Sequence, residues 1–276
     1  MKKILALTAL AFAIAFSGCS ATAPKIEGGV AIEKMVPAYR VGAYVDVEGA
    51  KSKLAAQGFE VVGTFKPAET CTTILYTNAA MKADANKPMR ALAAVGRILV
   101  DDERHQVHIA NPIYFNKAFL QDDYNHATAS AEYIALEKAF GPLTNSEDQW
   151  EFAGLSNYRF MLGMPYYQDM DVVGEGSTAD LVARAKAAKG TVVQVGDDRY
   201  VAFVELDKRT SAFPKKIGAQ NSELLPWAVL IEGGKAKALN AKYFIAVSYP
   251  LLDMGGFMGI MTIPDAVTKS LQKTFK

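Results

Sequence analysis

From Tyr39 to Val45 apolar and polar residues alternate with the period of a strand that buries one face, and Asp46 follows as a helix N-cap. Val47 to Gln57 reads as a helix closed by Gly58, the residue type that best tolerates a left-handed C-terminal turn. Phe59 to Phe65 and Cys71 to Thr77 read as two strands parted by a turn at Pro67. Asn78 to Ala85 and Met89 to Ala94 read as helical, with a break at Pro88. Arg97 to Val100 and Gln106 to Ala110 then make a hairpin that leads into Asn111-Pro112-Ile113-Tyr114-Phe115.

The same series recurs further along. Ser177 caps a helix that runs to Lys189 and closes at Gly190. Thr191 to Val195 and Tyr200 to Leu206 read as strands joined at Gly196-Asp197-Asp198, and a helical or irregular stretch from Ser211 to Leu225 follows. Trp227 to Ile231, a turn at Gly233-Gly234 and Lys235 to Leu239 lead into Asn240-Ala241-Lys242-Tyr243-Phe244. Ala55-Ala56-Gln57-Gly58 matches Ala187-Ala188-Lys189-Gly190, and Asn-x-x-Tyr-Phe stands at both 111 and 240. Two short matches with the order between them preserved predict an internal duplication. Tyr158 to Met164 would open the second copy as Tyr39 to Val45 opens the first, with an amphipathic helix, Ala127 to Phe140, and a polar connection, Leu143 to Gly154, between them. The expected fold class is α+β: two tandem copies of a small antiparallel sheet with helices, in a pseudo-twofold arrangement.

The N-terminus follows a different pattern. Lys2 and Lys3 precede an apolar run from Ile4 to Phe16 and then Ser17-Gly18-Cys19. This is the anatomy of an export signal, too short to span a bilayer core of about 20 helical residues. Phe16-Ser17-Gly18-Cys19 resembles the lipobox of bacterial lipoproteins, with Phe16 where Leu is usual. The resemblance implies cleavage before Cys19, lipidation of that cysteine by acyl chains including palmitate, and a membrane partner reached through the lipid. Ser20 in place of Asp after the cysteine favours the periplasmic face of the outer membrane. The expected organisation is residues 1–18 signal, 19–35 lipidated tether, 36–125 first copy, 126–157 helical connection and 158–276 second copy.

Composition narrows the function. The 30 basic and 29 acidic residues nearly balance, which gives no support for nucleic-acid binding, since that needs a basic face. Half of the residues are apolar, enough for a substantial core. With Cys19 lipidated, Cys71 is the other of the two cysteines, so neither an intrachain disulfide nor a cysteine metal cluster is available, and its strand-like setting predicts burial.

Leu54-x-x-x-Gly58-Phe59-x-Val61-x-Gly63, together with the hairpin running into Asn111-Pro112, resembles the domain of unknown function 302 family over about 80 residues. The second copy departs from the pattern, with Thr191 for Phe59 and Ala241 for Pro112. The resemblance implies a small α+β unit that pairs as a homodimer, so that two fused copies would form one pseudo-twofold body; it implies no activity.

Candidate chemistry is sparse. His105 and His108, three apart on a strand, point to opposite faces and could not share a metal without a bulge; they read as exposed hairpin residues. Asn111 and Asn240 each read first as the cap of the segment next in the chain. The functional reading has them line a ligand cleft between the copies with Tyr114 and Tyr243. The stretch Gly163–Met170, with Asp171 and Glu175 behind it, adds Tyr166 and Asp169 as candidate ligand residues, and Tyr249–Met258 is dense in aromatic and methionine side chains. No nucleophile elbow, phosphate loop, zinc motif or haem motif is present, and no cofactor is implied. The favoured reading is a noncatalytic, lipid-anchored binding or accessory module with a small-molecule ligand or an envelope protein as partner. Its rivals are an enzyme using Asp169 as acid or base within 163–175, and a structural lipoprotein that meets other proteins through its Met- and Tyr-rich surfaces.

Overall fold

The computed structural model describes residues 29–276, so the signal, Cys19 and most of the tether lie outside the described residues. The first half runs β1 (Met35–Pro37), β2 (Tyr39–Ala43), α1 (Val47–Ala56), β3 (Glu60–Ala68), β4 (Cys71–Thr77), α2 (Ala79–Ala85), β5 (Gly96–Asp101), β6 (Gln106–Ala110) and α3 (Pro112–Leu120). A connection of α4 (His126–Phe140), β7 (Thr144–Asn145) and β8 (Gln149–Glu151) follows. The second half comprises β9 (Asp171–Glu175), α5 (Thr178–Ala187), β10 (Thr191–Gly196), β11 (Arg199–Val204), α6 (Pro214–Ile217), β12 (Trp227–Glu232), β13 (Lys235–Ala238) and α7 (Ala241–Ser248). The helices α8 (Met254–Gly259) and α9 (Ile263–Phe275) end the chain.

The class is α+β, with every strand pairing antiparallel. Of the three sheets among the described residues, one has the order β3-β4-β5-β6-β2-β7, a second β10-β11-β12-β13-β9, and the third is the pair β1-β8. Apart from the short β7, the first two orders are the same element for element: β2 in the first half and β9 in the second return beside the last hairpin strand. Local chemistry sets the joints. Asp46 Oδ1 accepts from Gly49 N at 2.7 Å, Asn78 Oδ1 from Met81 N at 2.8 Å and Ser177 Oγ from Asp180 N at 3.1 Å, so each helix begins where a side chain satisfies its first amides.

Several boundaries differ from the expectation. The chain does not turn at Pro67; β3 runs on to Ala68 through a register shift, which an edge strand tolerates because no ladder bond requires the missing N–H. Tyr158–Met164 is not a strand, for Gly163 takes a φ of +83° and the stretch turns; the second sheet starts at Asp171, where Val172 and Gly174 pair with β13. Met89–Ala94 forms only a 3-10 turn over Ala91–Ala94, and the polar connection contains β7 and β8. The left-handed residue after α5 is Lys189 (φ +59°), not Gly190. Gly190 is needed for another reason, because a Cβ there would stand 2.9 Å from both the Ala185 and Phe203 carbonyl oxygens.

The halves are joined by an exchange of connecting segments. The segment from α2 to Ala94 lies against β10, β11 and β12, while residues 219–222 of the second half lie against β3 and β4. Met89 N donates to Glu232 Oε1 at 3.0 Å and Arg199 Nη1 to Asn86 Oδ1 at 2.6 Å; in the other direction Arg97 Nη1 donates to the Glu223 carbonyl at 2.9 Å. One continuous core of buried residues spans both halves, and a smaller one lies under α1 and α4.

Candidate functional site

The asparagines of the repeat are not brought together. Asn111 Oδ1 accepts from Ile113 N at 3.1 Å and its Nδ2 donates to the Pro37 carbonyl at 2.7 Å. Asn240 Oδ1 accepts from Lys242 N at 3.0 Å and its Nδ2 donates to Asp171 at 3.2 Å. Each caps its own helix, so the cleft built on the two amides does not form. Tyr114 and Tyr243 are buried in the shared core: Tyr114 donates to the Val247 carbonyl at 2.8 Å, and Tyr243 packs edge-on against Tyr158 and Tyr167. Asp169 is exposed and accepts from Tyr166 N at 2.9 Å in a surface turn, with Arg159 5.0 Å above the Tyr166 ring. Cys71 is buried, and that burial raises its thiol pKa.

A different site lies at the junction. A cleft of about 660 Å³ opens between the first sheet, the β7–β8 connection and the segments of the second half around Glu223 and Tyr249. That is within the range of roughly 300–1,000 Å³ typical of small-molecule sites. Its wall includes Tyr39 from β2, Gln106 and His108 from β6, Asp148, Glu223 and Tyr249. His108 is not an exposed hairpin residue: its side chain is 12% exposed, and its Nδ1 lies 3.1 Å from Oε1 of Glu223, which is 4% exposed. Gln106 Nε2 is 2.7 Å from His108 Nε2. The neutral tautomer with its proton on Nδ1 satisfies both contacts, donating to Glu223 and accepting from Gln106. Glu223 Oε2 accepts from the Tyr249 hydroxyl at 3.2 Å, and the Tyr249 ring stacks near Tyr39 with centroids 6.1 Å apart.

The cleft is acidic. Glu147 and Asp148 join Glu223 on its wall, which also carries Arg104. Asp148 accepts from Leu251 N at 3.0 Å, but among the described residues no cation lies within ion-pair reach of it. Burial first, and then the Glu223 and Glu147 charges, raise its pKa. Burial and the same Glu223 and Asp148 charges push the Tyr39 phenol well above its ordinary value.

Tyr39 and Glu223 also form the partition to an inner, mostly apolar cavity of about 40 Å³, space for about three waters at ~15 Å³ each. Arg97 borders it, its guanidinium 5.2 Å over Phe203 and 5.7 Å over Phe244, with burial lowering its pKa to about 10. On the far wall Glu132 accepts from Tyr76 at 3.0 Å and Asn116 at 3.1 Å, and burial raises it to about 7. Ser248 is buried here beside the Tyr39 phenol.

The two halves do not contribute equally. Counted back from the capping asparagines through the hairpin register, His108 corresponds to Lys237 and Arg97 to Ala228. Only the first sheet carries the cleft. The sequence could not have assembled it, because Glu223 lies more than 100 residues from His108 in an irregular stretch with no pattern to mark it. Among the described residues no group of three or more His, Cys, Asp or Glu side chains is placed to hold a metal, and no helix is long and apolar enough to cross a membrane. No family model matches the chain, and neither a curated protein nor a solved structure matches it.

Proposed function

We propose that this chain is a lipid-anchored, noncatalytic binding module of the cell envelope, facing the periplasm, which takes a small organic cation in the cleft at the junction of its halves. The carrying observation is the cleft itself, sized for a small molecule, walled by both halves and holding Asp148 with no cation in ion-pair reach among the described residues. An ammonium group there would relieve the mutual repulsion of Asp148, Glu147 and Glu223, with Tyr39 and Tyr249 as aromatic neighbours. The noncatalytic reading is supported by how the reactive groups are committed. His108 Nε2 is engaged by Gln106, and the Ser146 hydroxyl donates to the Asp148 carbonyl at 2.9 Å while accepting from Tyr39 N at 3.1 Å. The body is read as two diverged copies of a unit like the domain of unknown function 302 family. Support comes from the matching strand orders, the matched Asn caps and the reciprocal packing of connecting segments.

Thermal-shift titration with primary and quaternary amines, each beside a carboxylate of the same carbon skeleton, tests this. Amines should raise Tm and carboxylates should not, and Asp148→Asn should weaken amine binding about tenfold or more, the scale of one charge-assisted contact. Equal shifts with carboxylates, or an unchanged response in Asp148→Asn, would remove the reading.

A further inference from the structure

The C-terminal part of the chain carries apolar side chains that the core does not use. α8 turns Phe257 inward, as does Ile260 just beyond it. Met254, Met258 and Met261 recur at steps of four and three on the other side and stand exposed, Met261 at 65%, with Leu251 exposed just before them. A surface helix ordinarily keeps its outer stripe polar. Here it is methionine.

A second segment extends this face. Met161 and Leu162 are exposed on the loop after Tyr158, Leu162 at 84%, and the Phe160 ring between loop and helix packs on Phe257 with centroids 4.6 Å apart. Six large apolar side chains therefore share one surface, more than the scattered single residues a soluble surface normally shows.

Lysines stand at one margin of this face. Lys215 and Lys216 on α6 are exposed, and Lys216 Nζ reaches the Gly259 carbonyl at 3.2 Å, beside the methionines. Asp253, the acid of α8, is engaged as its N-cap, accepting from Gly256 N at 2.7 Å. Apolar side chains with lysines at the margin match a bilayer surface whose anionic headgroups overlie acyl chains.

The start of the described chain is tied to the segment that precedes the loop after Tyr158. Phe152 N donates to the Lys34 carbonyl at 2.9 Å and Met35 pairs with Glu151, so the incoming strand packs on the segment that leads directly into the 158–164 loop. The ten residue steps from Cys19 to Gly29 reach at most about 35 Å when extended.

We infer that the face formed by the 158–164 loop and α8 docks on an anionic lipid bilayer, its methionines and Leu162 entering at the headgroup level. The inference rests on the lipid-anchor reading for its tether, and on the face alone for the docking itself.

The test uses the full chain with Met258→Cys carrying a polarity-sensitive fluorophore. The chain is placed on vesicles of phosphatidylcholine and phosphatidylglycerol with bromine high on the acyl chains, and intact mass is measured in parallel to report lipid at Cys19. The probe should shift to the blue and be quenched. Both effects should weaken on phosphatidylcholine alone and be lost with Leu162→Asp and Met261→Asp. A lipidated chain on vesicles whose probe keeps its aqueous emission would overturn the docking face. So would a probe already shielded without lipid in a chain that sediments as a dimer, which would give the face to a second copy. A chain lacking lipid whose probe still responds keeps the docking face and removes the anchor.

Discussion

Glu132 shows how far a single side chain departs from its pattern. It lies on α4 among apolar neighbours, and its carboxylate has two hydrogen-bond donors but, among the described residues, no cation in ion-pair reach. Burial raises its pKa from 4.5 to about 7, so the folded protein holds this proton where the unfolded chain releases it. The contribution to stability is complete below pH 4.5 and is lost as pH rises to about 7. Its size is on the order of 3 kcal/mol. Urea unfolding across that range should show the fall in the parent chain and a flatter profile in Glu132→Gln; parallel profiles would show that Glu132 does not titrate this way. At this scale the sequence was legible where chemistry is local. Asn111, Asn240, Asp46 and Ser177 cap as their positions imply, and Cys71 is buried. It was not legible at His108, whose partner arrives from the other half of the chain.

Strands and helices followed their periods, and the misplacements occurred where backbone geometry outweighed residue type. At the end of α5 the sequence offers Gly190 as the left-handed residue, yet Lys189 takes that conformation because the close approach of Ala185 and Phe203 leaves no room for a Cβ one residue later. Two substitutions separate these effects. Lys189→Gly should stabilise the protein by about 0.5–1 kcal/mol, relief of left-handed strain less the entropy of the freer unfolded chain. Gly190→Ala should destabilise it by about 1–3 kcal/mol, as overpacking does. Denaturant midpoints at constant m-value read both, and the opposite order of effects would place the helix end one residue later. α9 could have been found from Ile263, Val267, Leu271 and Phe275, which recur every four residues and are all buried.

The molecule as a whole is held by reciprocal crossing of connecting segments, which neither half alone reveals. Because one core spans both halves, the chain should unfold as a unit. Tryptophan emission, from Trp150 in the connection and Trp227 in the second sheet, should coincide with far-ultraviolet circular dichroism through urea denaturation; separated transitions would mean that the halves are independent. The two sheets share a strand order, but the cleft and the inner cavity are built on the first, with His108 and Arg97 where the other sheet has Lys237 and Ala228. On the function proposed above, this cleft holds a small cationic molecule. Native mass spectrometry of the full chain, gently released from membranes, tests it most directly. A small adduct should appear and should be lost in both Asp148→Asn and Glu223→Gln. A bare mass that stays bare when amines are added in excess would contradict it.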